Sequence, residues 1–320
     1  MTVILHIGMP NAGSSAIQHR LWRNRQALED AGAHYHAKPF EPRRVSSGNA
    51  KDLAQYLNPR KRAAGFSEPA FQRAFDKLLA PEDHPISIVS GEQLAGATPE
   101  MLARFRDEIL RGRDIRIVAF IRDIYGHAHS CWMQQIKRQA YFESFERFCA
   151  ERYTDPQCRA ARRYHDAFGP ERMRVIHYDS LEGDIFAAFL GAVGVSIPAE
   201  DSTPPINRSL SPAELGALRL CNRLHRNPDL SMRISDHLLA KRPDRPRAQV
   251  WSAQVAGRLE ERYGADVAWV NARFFPGGDR LRVTAPVRRN GRGESRLEVW
   301  RDVVEGYLGL GTQPGLSTLP

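Results

Sequence analysis

The segment His6-Ile7-Gly8-Met9-Pro10-Asn11-Ala12-Gly13-Ser14-Ser15-Ala16-Ile17 constrains this chain more than any other part of it. Val3 to Ile7 is a short apolar run of strand length. The residues after Gly13 place Ile17, Leu21 and Leu28 on one side of a helix expected over about 14–31. A strand that passes through a glycine-bounded loop into a helix leaves the first helical N–H groups without partners. These groups and the helix dipole favour an anion there. Gly8 and Gly13 bracket four residues, the spacing of a Walker A loop, but Gly13 is followed by Ser14-Ser15 and not by Lys-Ser/Thr. The missing lysine argues against ATP or GTP as a phosphoryl donor and points to a different anion.

The rest of the chain alternates strand and helix, the pattern of a parallel sheet covered on both faces. Further strands are expected at Pro85 to Val89, Ile115 to Ile121 and Met173 to Tyr178. Helices are expected at Pro69 to Leu79, Met101 to Leu110, Ser130 to Arg138 and Ile185 to Val193. Residues 36–70, rich in Pro, Gly, Arg and Ser, read as a loop with a short helix, suited to an acceptor-site insertion. Beyond Pro204 the character changes. Ser211 with Glu214 three residues on has capping-box spacing, Val255 to Tyr263 and Ala265 to Phe275 read as helical, and Leu297 to Leu308 as a last helix. The expected organisation is a nucleotide-binding core over 1–204 and a mainly helical extension with basic loops over 205–320.

The formal charge of +9 suits attraction of a multiply charged nucleotide or an anionic acceptor, or a solvated basic surface. No nucleic-acid-binding motif stands out, so nucleic acid is not an expected partner. No apolar run is long enough to span a membrane, and no secretory signal is expected. The four cysteines, Cys131, Cys149, Cys158 and Cys221, have no metal-finger spacing, which suits reduced thiols in the cytoplasm. His127 and His129 are not spaced i, i+4, so no metal site is expected.

Two segments in order resemble the prokaryotic type of PAPS-dependent sulfotransferases, where PAPS is 3′-phosphoadenosine-5′-phosphosulfate. HIGMPNAGSSAIQ is similar to the family's 5′-phosphosulfate loop. Ile115 to Asp123, with Ser130 eight residues after Arg122, is similar to its 3′-phosphate site. Met173 to Leu181 resembles a later core strand and Asn207 to Pro212 a segment after the core, so the resemblance spans roughly residues 1–275. It implies an α/β fold with a P-loop-like central parallel sheet flanked by helices, and transfer of a sulfuryl group from PAPS to a hydroxyl or amine acceptor, a glycan among the candidates. PAP, 3′,5′-phosphoadenosine, would be the product. By the same resemblance Pro10, Asn11, Ala12, Gly13, Ser14 and Ser15 would cradle the 5′-phosphosulfate, and Arg122 and Ser130 the 3′-phosphate.

Two positions bear on catalysis. Ser90-Gly91-Glu92 resembles the family's Ser-Ser-Glu, making Glu92 the leading candidate for the base; the plain alternative is a carboxylate stabilised at a helix start. Asn11 stands where the family carries a lysine, implied to stabilise charge on the leaving nucleotide. Loss of one such stabiliser costs on the order of 10²–10³ in rate. Either another cation, such as Arg242 or Arg289, takes its place, or transfer is slow, or the chain binds PAP or PAPS with weak or no transferase activity. A P-loop kinase is a third reading. His6 is expected to be a satisfied buried imidazole, Ser14 and Ser15 can also act as helix caps, and Arg122 can also pair with Asp123 or another acid.

Overall fold

A computed structural model of the chain describes residues 1–36, 48–79, 84–198, 209–243, 245, 248–278, 280–284 and 295–309. In chain order its main elements are β1 (Thr2–His6), α1 (Ser14–Arg23), α2 (Arg25–Asp30), β2 (Ala33–His34), α3 (Lys51–Leu57), α4 (Glu68–Asp76), β3 (Ile86–Ser90), α5 (Pro99–Arg104), β4 (Asp114–Ile121), α6 (Ile124–Gln139), α7 (Phe145–Glu151), α8 (Gln157–Phe168), β5 (Met173–His177), α9 (Ile185–Val193), α10 (Pro212–His225), α11 (Pro228–Lys241), α12 (Ala253–Phe274) and α13 (Arg296–Leu308). They form two compact units. The first comprises Met1–Ile124, Asp155–Thr203 and Arg262–Val283; the second comprises Tyr125–Thr154, Pro204–Glu261 and Thr284–Pro320. Among the described residues, no helix is long and apolar enough to cross a membrane.

The first unit is built on a five-stranded parallel sheet in the order β2-β3-β1-β4-β5, flanked by helices, as expected of this α/β class. Helices cover both faces of such a sheet, so its strands are apolar almost throughout. Val3, Ile4 and Leu5 of β1 and Ile117 to Ile121 of β4 are all fully buried. β1 lies at the centre, pairing with β3 from Thr2↔Ile86 to His6↔Ser90 and with β4 from Thr2↔Asp114 to His6↔Val118. β2 pairs only with Ile86 and Ser87, and Asn49 takes over the free edge of β3 beyond it. Its side chain donates to the Ile88 carbonyl at 2.9 Å and accepts from the Ser90 amide at 2.7 Å. The backbone that leads to Glu92 is thereby tied on both sides.

The helix expected at Met101 to Leu110 is α-helical only over Pro99–Arg104 and continues as a π-helical turn over Phe105–Ile109, and three further departures have local reasons. The helix expected over 14–31 divides at Asn24, whose side chain donates to the Arg20 carbonyl at 2.8 Å and competes with helical hydrogen bonding there. The helix expected from Ser130 starts at Ile124, because the weak helix formers Gly126, His127 and His129 mask its first turns. Residues 253–274 are one helix; Gly264, which suggests a break, costs only about 1 kcal/mol in a helix held by its neighbours.

In the second unit, buried charges join α10, α11 and α13. Glu214 completes the capping box with Ser211 and also meets Arg245 at 3.3 Å. Asp302, fully buried, lies 2.8 Å from Lys241, 3.5 Å from Arg242 and 3.3 Å from Arg245. Arg242, a candidate for the cation missing at Asn11, thus serves with Lys241 as a partner of a buried carboxylate. Arg289, the basic run from Arg288 to Arg292 and Asn207-Arg208 lie outside the described residues.

His6 is fully buried at the end of β1. Its Nδ1 lies 2.8 Å from the Ser90 hydroxyl and its ring meets Phe120 and Phe189 edge-on. Burial lowers its pKa to about 3, so the imidazole is neutral in the folded chain. Because the folded value lies below the unfolded one, His6 supports folding above pH 6.5 and opposes it as pH falls towards the folded value. The expected loss is roughly 1.4 kcal/mol per pH unit below 6.5. Denaturant melts at neutral and acidic pH test this: His6→Asn lowers stability at neutral pH, and its deficit relative to wild type narrows in acid. An unchanged deficit contradicts this account.

Candidate functional site

The loop after β1 continues the sheet before it turns. Ile7 N–H donates to the Val118 carbonyl at 3.0 Å, Met9 N–H to Phe120 at 2.9 Å, and Phe120 N–H to Gly8 at 2.8 Å. The turn then closes on one atom. The Met9 carbonyl accepts from the Ala12 amide at 3.2 Å and from the Ser14 hydroxyl at 2.9 Å. Ala12 and Ser14 are buried, so Ser14 braces the loop from inside, while Ser15 is half-buried. Asn11 (φ 59°) and Gly13 (φ 83°) are left-handed; asparagine tolerates that region better than most side chains, and glycine freely. Among the described residues, the amides of Gly13, Ser14 and Ser15 have no hydrogen-bond partner, and α1 has no side-chain cap. An unsatisfied, positively polarised helix start lies at the carboxyl end of the central strand.

The neighbouring strands place Glu92 and Arg122 beside this loop. Gly91 N–H donates to the His6 carbonyl at 3.0 Å, which fixes the chain after β3 against the end of β1. A Cβ on Gly8 would lie 3.2 Å from Glu92 Cα, so loop and glutamate are in near contact. Glu92 is half-buried, and burial pushes its pKa above the usual carboxylate value. On the other side, Arg122 Nη1 donates to the Asn11 carbonyl at 3.3 Å. The structure therefore brings together Pro10, Asn11, Ala12, Gly13, Ser14, Ser15, Glu92 and Arg122 at adjacent strand ends of the first unit, where open α/β sheets bind ligands. Ser130, on α6, belongs to the second unit.

Arg122 is held by residues that the sequence motifs do not include. The Asp179 carboxylate accepts from its Nε at 3.3 Å and its Nη2 at 3.0 Å, and the guanidinium carbon lies 4.8 Å from the Tyr178 ring centroid. Gln157 clamps the Arg122 backbone, accepting from its N–H at 2.8 Å and donating to its carbonyl at 3.2 Å. The acid paired with Arg122 is thus Asp179. Asp123 faces elsewhere, accepting from the Arg282 amide at 2.7 Å with His177 Nε2 at 3.0 Å. Asp123, His177 and Asp179 place possible ligand atoms within 4.8 Å of one another, but Arg122 and the Asp123 amide already engage the Asp179 oxygens. A carboxylate two residues beyond the MRVIH strand is the one sequence feature at Asp179, and it does not name Arg122 as its partner.

Gly13 has a steric as well as a conformational reason to be glycine. A Cβ there would come within 2.3 Å of Ile185 Cδ1 and 3.1 Å of Tyr178 Cε2. Gly13→Ala is expected to cost about 1–3 kcal/mol through left-handed backbone strain plus overpacking. Adding Ile185→Ala removes the closest clash but not the strain, so thermal melts of the double variant should recover none of the backbone contribution. Unchanged stability of Gly13→Ala contradicts the assignment.

No protein-family description matches the sequence, and no curated protein matches it. Among solved structures, the chain is similar to a sulfotransferase from Alicyclobacillus acidocaldarius, with a TM-score of 0.48 and 14% identity over 84% of this chain and 94% of that one.

Proposed function

We propose that this chain is a sulfotransferase-like enzyme that moves a sulfuryl group from PAPS to a hydroxyl or amine acceptor, a carbohydrate among the candidates. The observation that carries the reading is the set of Gly13, Ser14 and Ser15 amides, without a hydrogen-bond partner among the described residues, between Glu92 and Arg122. The sequence resemblance supplies the identity of the anion. The loop amides would hold the 5′-phosphosulfate, where the helix dipole favours negative charge. Arg122, oriented by Asp179, would meet the 3′-phosphate that distinguishes PAPS from ATP. Ser130 rests on the resemblance alone and plays no part in this reading of the first unit.

In the proposed reaction, the acceptor oxygen or nitrogen forms a bond to sulfur as the bond between sulfur and the 5′-phosphate oxygen breaks. The acceptor proton passes to the Glu92 carboxylate and PAP leaves with the bonding electrons. A raised pKa makes Glu92 a better proton acceptor than an ordinary carboxylate. Asn11 supports a second reading, a PAP- or PAPS-binding protein with weak or no transfer. Its left-handed backbone and Arg122-bound carbonyl fit a binding loop, but its side chain brings no cation to the leaving nucleotide.

Incubation with PAPS carrying an isotope-labelled sulfuryl group and a panel of hydroxyl and amine acceptors separates the readings. The transferase reading predicts labelled product with stoichiometric PAP, at a rate that rises with pH through the raised Glu92 pKa. Glu92→Gln should lower kcat by about 10²–10⁴ while nucleotide affinity persists. Asn11→Lys should raise kcat, by less than the ~10²–10³ worth of a well-placed cation, because lysine fits the left-handed backbone less well. Nucleotide binding without label in any acceptor favours the second reading.

A further inference from the structure

Helix α13 is apolar on two opposite sides. Its inner side buries Val299, Val303 and Gly306 around the buried Asp302. Its outer side presents Leu297, Trp300, Val304, Tyr307 and Leu308 to solvent, with Leu297 83% and Leu308 60% exposed. At 100° per residue these five form a single stripe along the axis. Arg296 borders the stripe on one edge and Arg301 on the other. Helix α10 joins α13 where the His225 and Tyr307 rings lie 5.3 Å apart, and its own outer side carries Leu220, Arg223 and Leu224, the last 70% exposed. A helix this apolar on its solvent side leaves surface that water disfavours.

Charge decides what covers it. Two copies paired in parallel along this stripe set Arg296 of one against Arg301 of the other, and antiparallel pairing sets like flank against like flank. The exposed acid Glu298, beyond Arg301, lies 3.9 Å from Arg245, and Glu305 pairs with Lys241, so both glutamates of the helix are engaged by the cations of the buried network. Arg223, in the last turn of α10, and Arg233 of α11, which donates to the Tyr307 carbonyl at 3.0 Å, add to the positive rim. Trp300 and Tyr307 have an apolar body and a polar tip, suited to a boundary between hydrocarbon and water. Protruding aliphatic tips, interfacial aromatics and an arginine rim together fit a layer of anionic headgroups over acyl chains, where a helix lies flat and does not span. We propose that the outer face of α13, with the adjoining end of α10, docks this protein on the surface of an anionic lipid bilayer.

Flotation of the full chain with phosphatidylcholine vesicles, with and without phosphatidylglycerol, tests the proposal. Wild type should float with the phosphatidylglycerol vesicles, bind phosphatidylcholine alone weakly, and be released by high salt. Leu297→Glu with Val304→Glu should lower the partition coefficient more than about tenfold. Arg296→Glu with Arg301→Glu should weaken binding only to the anionic vesicles. All four positions are surface sites, and unchanged melting temperatures confirm that the variants are folded. Wild type left unbound by anionic vesicles, or a Leu297/Val304 variant that binds as wild type, overturns the proposal. A dimer that the Leu297/Val304 variant splits, without flotation of wild type, also overturns it and assigns the face to a second copy.

Discussion

The arrangement of the first unit depends on the backbone of Ile7, Gly8 and Met9 remaining paired with β4 after β1 has ended. Those hydrogen bonds hold the loop flat against the sheet, so the chain can reach α1 only by a turn in place. Left-handed Asn11 and Gly13 and the doubly used Met9 carbonyl make that turn. A looser loop would let the first amides of α1 fold back on the chain. Held as it is, the loop leaves them without a partner among the described residues at the carboxyl end of the central strand, between the strands that deliver Glu92 and Arg122.

Each candidate chemical group is positioned by something less conspicuous than itself. Asn49 closes the edge of β3 below Glu92, and the Gly91 amide ties the same segment to His6. Gln157 fixes the Arg122 backbone and Asp179 its guanidinium. Hydrogen bonds to charged groups are stronger than neutral ones, so the Asp179 pair sets the direction of Arg122 more firmly than the longer bond to Asn11. Asp179 also occupies part of the positive charge that an anion would use. Among the described residues the amides have no partner, while the cation is already paired with one carboxylate.

Much of this was legible in the sequence because one constraint wrote it there. A doubly covered parallel strand must be apolar throughout, so β1, β4 and the α/β class stand out from residues 3–7 and 115–121. The Gly8 and Gly13 spacing marks the turn for the same kind of reason, since a left-handed φ and a filled space beside Gly13 admit little else. Helix ends are less legible because they depend on competition between single hydrogen bonds, as at Asn24. Asp179, Gln157 and Asn49 were not legible as partners of the site. Each acts on residues tens of positions away, and no local pattern encodes those meetings.

On the proposed reading, this loop and Arg122 form a site for a nucleotide carrying a 3′-phosphate. Calorimetric titration of the folded protein with PAP, ATP and ADP tests it most directly. The account predicts that PAP binds more tightly than ATP or ADP, and that Arg122→Ala removes the preference while leaving the melting temperature of the free protein close to wild type. ATP bound as tightly as PAP, or no binding of PAP by protein shown to be folded, would contradict it.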